Sequence, residues 1–131
     1  MSTLVLIVDD NVLNVKALEG LLRVRDYEVT TAFDGHEALA KIDQHRPDIV
    51  LLDVMMPEMN GYDVCLRIRQ NPATAELPVI MVTALDKDND RQTGMAAGAD
   101  EFLTKPVDMD QLVLAMRSLM ERGNRPSAKA S

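Results

Sequence analysis

Two kinds of segment alternate along the chain. The first is short, apolar and rich in β-branched residues: Leu4–Val8, Glu28–Thr31, Ile49–Leu52, Val79–Val82 and Asp100–Leu103. Leu4–Val8, Ile49–Leu52 and Val79–Val82 are apolar almost throughout, the pattern of parallel strands covered on both faces. Glu28–Thr31 and Asp100–Leu103 are more polar and suit the sheet edges. The second kind repeats at helical spacing. Val12, Val15, Leu18 and Leu22 line one stripe, Ala38, Leu39 and Ile42 another, and Val64, Cys65 and Ile68 a third. The clearest stripe carries Met109, Leu112, Val113, Met116 and Met120, with Asp108 and Gln111 spaced as a capping box at its start. Asn89–Ala97 is the weakest helical stretch, and Gly98 reads as its stop.

A strand–helix unit repeated five times predicts an α/β fold, with a parallel sheet between two helical layers. Right-handed crossovers leave few strand orders open. The pattern ends at Glu121, so residues 1–121 read as one domain. Residues 122–131, with Pro, Ser, Gly and Lys, read as a flexible tail or the start of a linker.

Composition narrows the function classes. The formal charge is −7, and the stretch up to Glu121 holds 11 basic against 21 acidic residues, a net of −10. Such a body repels a phosphate backbone, which argues against nucleic-acid binding. Aromatics make up only 3% and Trp is absent, so a base-stacking surface is not expected either. A single cysteine, Cys65, excludes an internal disulfide framework and suits a reducing compartment. No targeting or membrane-spanning segment is legible, and a cytoplasmic location is the expectation.

The polar residues that interrupt this pattern collect at strand ends. Asp9 and Asp10 follow the first strand, Asp53 the third, Thr83 the fourth, and Lys105 lies just beyond the fifth. In open α/β sheets the ligand crevice lies outside the carboxyl ends of the strands, so all five residues are expected in one pocket. Singly, each has a plainer reading: Asp10 as a helix cap, Asp53 in a turn, Thr83 as a strand residue, Lys105 on the surface. Jointly, three carboxylates repel one another unless a cation offsets them. Three carboxylates with a backbone carbonyl form a hard oxygen site suited to Mg²⁺. A lysine and a threonine hydroxyl can meet phosphoryl oxygens. An aspartate in such a site can attack phosphorus and become an aspartyl phosphate.

The segments Val8-Asp9-Asp10-Asn11, Leu52-Asp53-Val54-Met55-Met56-Pro57, Met59-Asn60-Gly61, Val82-Thr83-Ala84 and Leu103-Thr104-Lys105-Pro106 resemble the receiver domain of bacterial two-component response regulators. The resemblance runs from about Leu4 to Glu121. In wording it is most similar to receivers of diguanylate-cyclase response regulators and to single-domain cell-cycle regulators. It implies a flavodoxin-like (βα)5 sandwich with strand order 2-1-3-4-5. It also implies that Asp53 is the phosphoacceptor, and that Asp10, Asp53 and the Met55 carbonyl bind Mg²⁺ directly, Asp9 acting through metal-bound water. Lys105 then pairs with the phosphoryl group, Thr83 hydrogen-bonds it, and the small Ala84 leaves it room. Phe102 matches the aromatic switch position, an ordinary core aromatic being the plainer reading, and the Lys105–Pro106 bond is expected to be cis. The resemblance further implies that the donor is a sensor histidine kinase or a histidine phosphotransfer protein, and that the chain is a switch and not an enzyme.

Other features of the chain carry plainer readings. The run Asp86-Lys87-Asp88-Asn89-Asp90 begins like a calcium loop, but Arg91 and Ala97 occupy the positions that need Gly and Glu. His36 and His45 have no partner ligands nearby in sequence. The segment Asp90-Arg91, Ala97–Glu101 and Arg117 is similar to the helix 4–strand 5–helix 5 face through which receivers dimerise, and a solvated charged face is the equal alternative. A haloacid-dehalogenase-type phosphatase needs a second aspartate where Met55 stands. A flavodoxin-type FMN protein needs a phosphate loop where Asp9 and Asp10 would repel the anion. An output domain beyond Ser131 and a free terminus fit the tail equally.

Overall fold

A computed structural model describes residues 2–123; the reading of the remaining tail as a linker lies outside the described residues. Five strands, β1 (Leu4–Val8), β2 (Glu28–Ala32), β3 (Ile49–Leu52), β4 (Val79–Thr83) and β5 (Glu101–Thr104), alternate with five helices. The helices are α1 (Val12–Val24), α2 (Gly35–Gln44), α3 (Gly61–Gln70), α4 (Asp88–Ala96) and α5 (Met109–Gly123). All pairings are parallel and the order is β2-β1-β3-β4-β5. β1, β3 and β4 are central and buried on both faces, so they carry no alternation.

Two apolar clusters flank the sheet. On one face, Leu6, Val8, Leu52 and Met81 pack against Ala38 and Ile42 of α2 and Val64, Cys65 and Ile68 of α3. On the other, Ile7, Leu51 and Val82 pack against Val15 and Leu22 of α1 and Leu112, Met116 and Leu119 of α5. Val12, expected on the inner stripe of α1, is 47% exposed, and Leu119 takes an inner place on α5 that the sequence stripe had omitted. Boundaries shift by about one residue. β4 and β5 both run on to threonines because Thr83 and Thr104 pair as the last rung. β5 starts after Asp100, whose carboxylate is engaged elsewhere. α4 begins at Asp88 and ends before Gly98, whose φ of +106° suits a glycine stop.

Arg69, near the C-terminus of α3, organises the end of the sheet opposite the strand tips. Its guanidinium donates to the carbonyls of Gly98 (2.9 Å), Ala75 (3.2 Å) and Leu77 (2.6 Å) and pairs with Asp100 at 3.0 Å. The same Asp100 oxygen accepts from Val79 N–H at 2.9 Å. One planar donor thus joins α3 to the approaches of β4 and β5. Arg69→Ala leaves these acceptors without their partner and is expected to lower stability by about 2–3 kcal/mol in denaturant titration. Acetyl phosphate labelling of the folded fraction should remain intact, because the strand tips are untouched.

β2 is an edge strand, and two of its backbone carbonyls accept from side chains of the flanking helices. Arg23 of α1 donates to the Val29 carbonyl at 3.1 Å, and Lys41 of α2 donates to the Thr31 carbonyl. Just beyond the strand, Phe33 N–H donates to Glu37 at 2.7 Å. Such cover blunts an edge that would otherwise template another strand.

Candidate functional site

The strand tips converge as the sequence pattern requires. β1 and β3 are neighbours, with Val8 beside Leu52, so the residues that follow each strand, Asp9 and Asp53, lie side by side. Carboxylate oxygens of Asp9, Asp10 and Asp53 all lie within 4.8 Å of one another, the one group of this kind among the described residues. Asp9 is 5% exposed and Asp53 7%, whereas Asp10 faces solvent. Asp10 is not the helix cap: Asn11 caps α1, its side chain accepting from Asn14 N–H at 3.0 Å. One oxygen of Asp9 accepts from Asn11 N–H at 2.9 Å.

Lys105 enters from the loop after β5 and spans the pair, its Nζ 2.7 Å from Asp9 Oδ2 and 3.3 Å from Asp53 Oδ2. Burial works against a charged amine here, but the hydrogen bond to Asp9 and the charges of Asp53 and Asp9 outweigh it and raise the Lys105 pKa above the ordinary lysine value. The amine therefore stays protonated at neutral pH. The Lys105–Pro106 peptide is cis.

The acceptor loop is tightly built. Met55 N–H donates to Asp53 Oδ1 at 3.3 Å, while the Met55 side chain is 58% exposed beside the acceptor. Gly61 N–H donates to the Val54 carbonyl at 2.9 Å. A Cβ on Gly61 would collide with the Asp53 carbonyl oxygen and lie 2.8 Å from Val54 Cα, so only glycine lets α3 start against this loop. Thr83 is fully buried, its hydroxyl 3.4 Å from Leu85 N–H, with Ala84 next in the chain. Phe102, on the same face of the sheet, is already inside the core at 1% exposure.

Several sequence readings separate here. The acidic run at residues 86–90 is the start of α4, where Lys87 N–H donates to the Asp90 carboxylate at 3.3 Å. His36 is exposed, 3.9 Å from Glu58, and His45 ends α2. Burial pushes the Cys65 thiol up to about 11, Arg69 opposing and Asp100 adding to the shift, so it is a packing residue. Of the charged-face segment, Ala97 and Ala99 are buried and Asp100 turns to Arg69, which leaves Arg91, Glu101 and Arg117 outward. Sequence reasoning missed Arg69, whose position near a helix end looks like any solvated arginine.

A parallel (βα)5 sheet with three acids and a lysine at its strand tips defines a receiver-type phosphoacceptor fold. The chain belongs to the response regulator receiver domain family, whose model matches residues 5–117. It is 49% identical over 119 residues to the response regulator PleD of Caulobacter vibrioides, covering 91% of this chain and 26% of PleD. It is 42% identical to the probable transcriptional regulatory protein TcrX of Mycobacterium tuberculosis, covering 90% of this chain and 50% of that one. The chain thus spans half or less of the length of these curated relatives. Among solved structures, it resembles chemotaxis protein CheY4 of Vibrio cholerae, with a TM-score of 0.85, 33% identity, and 91% of this chain and 99% of that one covered. It also resembles the receiver domain of sensor histidine kinase PA1611 from Pseudomonas aeruginosa, which holds a magnesium ion in its active-site cleft. That match has a TM-score of 0.85, 29% identity, and 92% of this chain and 99% of that one covered. The phosphatase and FMN readings fall with this membership: the chain is a phosphoacceptor module of two-component signalling.

Proposed function

We propose that Asp53 accepts a phosphoryl group from a phosphohistidine on a sensor histidine kinase or histidine phosphotransfer protein, and that the chain acts as a switch rather than an enzyme. The carrying observation is the clasp itself, with two buried carboxylates, one exposed carboxylate and the Lys105 amine gathered at adjacent strand tips. An Asp53 oxygen attacks phosphorus, the P–N bond breaks, and the electron pair leaves with the donor imidazole. Lys105 then exchanges part of its contact with the carboxylates for a phosphoryl oxygen, and Thr83 offers its hydroxyl. The donor set fits a hard divalent cation: Asp9, Asp10 and Asp53, with the Met55 carbonyl, would hold Mg²⁺, which offsets their mutual repulsion and the charge on the transferring group.

Labelling by acetyl phosphate tests the cation's part. Chelation of divalent ions with EDTA should reduce the label to background and added Mg²⁺ should restore it. Full labelling in EDTA would overturn the cation's role.

Room for the donor lies beside the acceptor. A cleft of about 420 Å³ between α1 and the loop after β5 is walled by Ala17, Leu18, Leu21 and Val107 and also lined by Asp53 and Lys105. Leu13 and Val24 of α1 stand exposed nearby in sequence. This apolar surface supports docking of a kinase or phosphotransfer helix. The opposite charges of Arg91 and Glu101, beside the exposed Leu114, support a homodimer through the α4–β5–α5 face, and analytical ultracentrifugation should show twice the monomer mass when beryllofluoride and Mg²⁺ are added. We read residues 1–121 as the receiver unit, and the greater length of the relatives supports an output domain or a separate partner protein as the reader of its state. A cytoplasmic site of action suits this pathway, and no helix among the described residues is long and apolar enough to cross a membrane.

A further inference from the structure

Sulfur chemistry in this chain falls to methionine rather than cysteine. Cys65 is buried and its thiol titrates far above neutral, so little thiolate is available to react. The nine methionines divide by position. Met81 and Met116 are fully buried, Met56 and Met59 nearly so, and Met109 and Met120 pack partly against the core. Among the described residues only Met55 and Met95 are exposed, at 58% and 45%. Met95 lies near the C-terminal end of α4, away from the strand tips. Met55 lies two residues after Asp53, and its N–H donates to Asp53 Oδ1. The following Met56 turns into the core instead, so the loop leaves one thioether in water directly beside the acceptor.

Peroxides oxidise thioethers that solvent can reach. The sulfur lone pair of Met55 attacks one oxygen of hydrogen peroxide, and the O–O bond breaks. The departing hydroxide takes the proton from the transferred oxygen, which leaves sulfoxide and water. The sulfur has given two electrons to the peroxide, and sulfoxide reductases reverse the step. The new S–O oxygen carries partial negative charge and needs a donor or water. Three carboxylates already crowd the strand tips, and an arriving phosphodonor is anionic. A further negative dipole on that rim opposes its approach. A sulfoxide that draws on a neighbouring donor also pulls on the Met55 peptide, and so on the N–H that holds Asp53 Oδ1.

We propose that Met55 is a reversible oxidation site through which hydrogen peroxide slows phosphoryl entry at Asp53, so that the chain answers two inputs at one loop. The slowing rests on the assignment of Asp53 as acceptor; the preferential oxidation of Met55 does not. A reacting group misplaced by about 1 Å can lose about a hundredfold in rate, so a displacement of a fraction of that predicts a slowing of about three- to tenfold.

Treatment of the protein with dilute hydrogen peroxide, a catalase quench and peptide mass spectrometry test the first half. Met55 should gain one oxygen together with Met95 and ahead of the buried methionines. Acetyl phosphate labelling tests the second half, with circular dichroism as the folding control and each rate taken against the same variant untreated. Oxidised wild type and oxidised Met95→Leu should both label about three- to tenfold more slowly, and methionine sulfoxide reductases A and B should restore the rate. Oxidised Met55→Leu should show no slowing. Slowing that persists in Met55→Leu would overturn the proposal, as would full-rate labelling of wild type with Met55 converted, or a Met55 that stays reduced while Met95 is consumed. If untreated wild type takes no label, the acceptor reading falls instead, and the peptide map still decides whether Met55 is the oxidised residue.

Discussion

Asp53→Asn should remove all labelling by acetyl phosphate, the largest functional effect expected from any single change here. The amide has no anionic oxygen to attack phosphorus, and neither neighbouring acid can replace it. Asp9 is committed to Lys105 and to Asn11 N–H, and Asp10 stands at the solvent rim. The fold should survive, because the substitution removes one of three mutually repelling charges, and the amide oxygen can still accept from either Lys105 or Met55 N–H, which meet different oxygens of Asp53. Mass spectrometry of the treated protein, with circular dichroism as the folding control, reads both outcomes. Retained stoichiometric, acid-stable label in the folded variant would contradict the assignment.

Gly61→Ala should be the most damaging of the small substitutions. The added methyl meets backbone on two sides, the Asp53 carbonyl and Val54 Cα, and neither can rotate away as a flexible side chain could. The loop or the first turn of α3 must move, at a cost of about 1–3 kcal/mol typical of overpacking. Because the Val54 carbonyl accepts from Gly61 N–H, the displacement passes directly into the acceptor loop. The expected result is a lower denaturant midpoint together with a labelling rate reduced well beyond the loss of folded protein. Gly20→Ala is the control, since nothing lies within 4 Å of a Cβ there and Gly20 sits within α1. It should match or exceed wild-type stability. If Gly61→Ala labels at the wild-type rate, the tight approach of α3 to the acceptor loop has no functional weight.

Much of this was legible in the chain. Continuous apolar runs such as Ile49–Leu52 mark buried parallel strands, and each ends at the residue that carries chemistry, so the strands and the site were read from the same boundaries. Asn11, Asp34 and Asn60 cap their helices with side-chain oxygens, as short polar residues before apolar stripes do. What stayed hidden depends on distance along the chain. Arg69 meets Gly98 and Asp100 some thirty positions away, and no local pattern distinguishes it from Arg67 on the same helix. The close seat of α4 on Met81 and Phe102, made at Gly94, is likewise a contact between different elements. Strand ends moved by a residue because pairing across the sheet, as between Thr83 and Thr104, overrides local polarity.

The side chains of Arg23, Lys41 and Glu37 that close off β2 carry a consequence for assembly. The other edge strand, β5, is treated in the same way, Phe102 N–H donating to the Glu101 carboxylate at 3.2 Å. Each such bond takes a backbone group out of the row that an incoming strand would need, so both margins of the sheet are poor templates for strand-to-strand joining of copies.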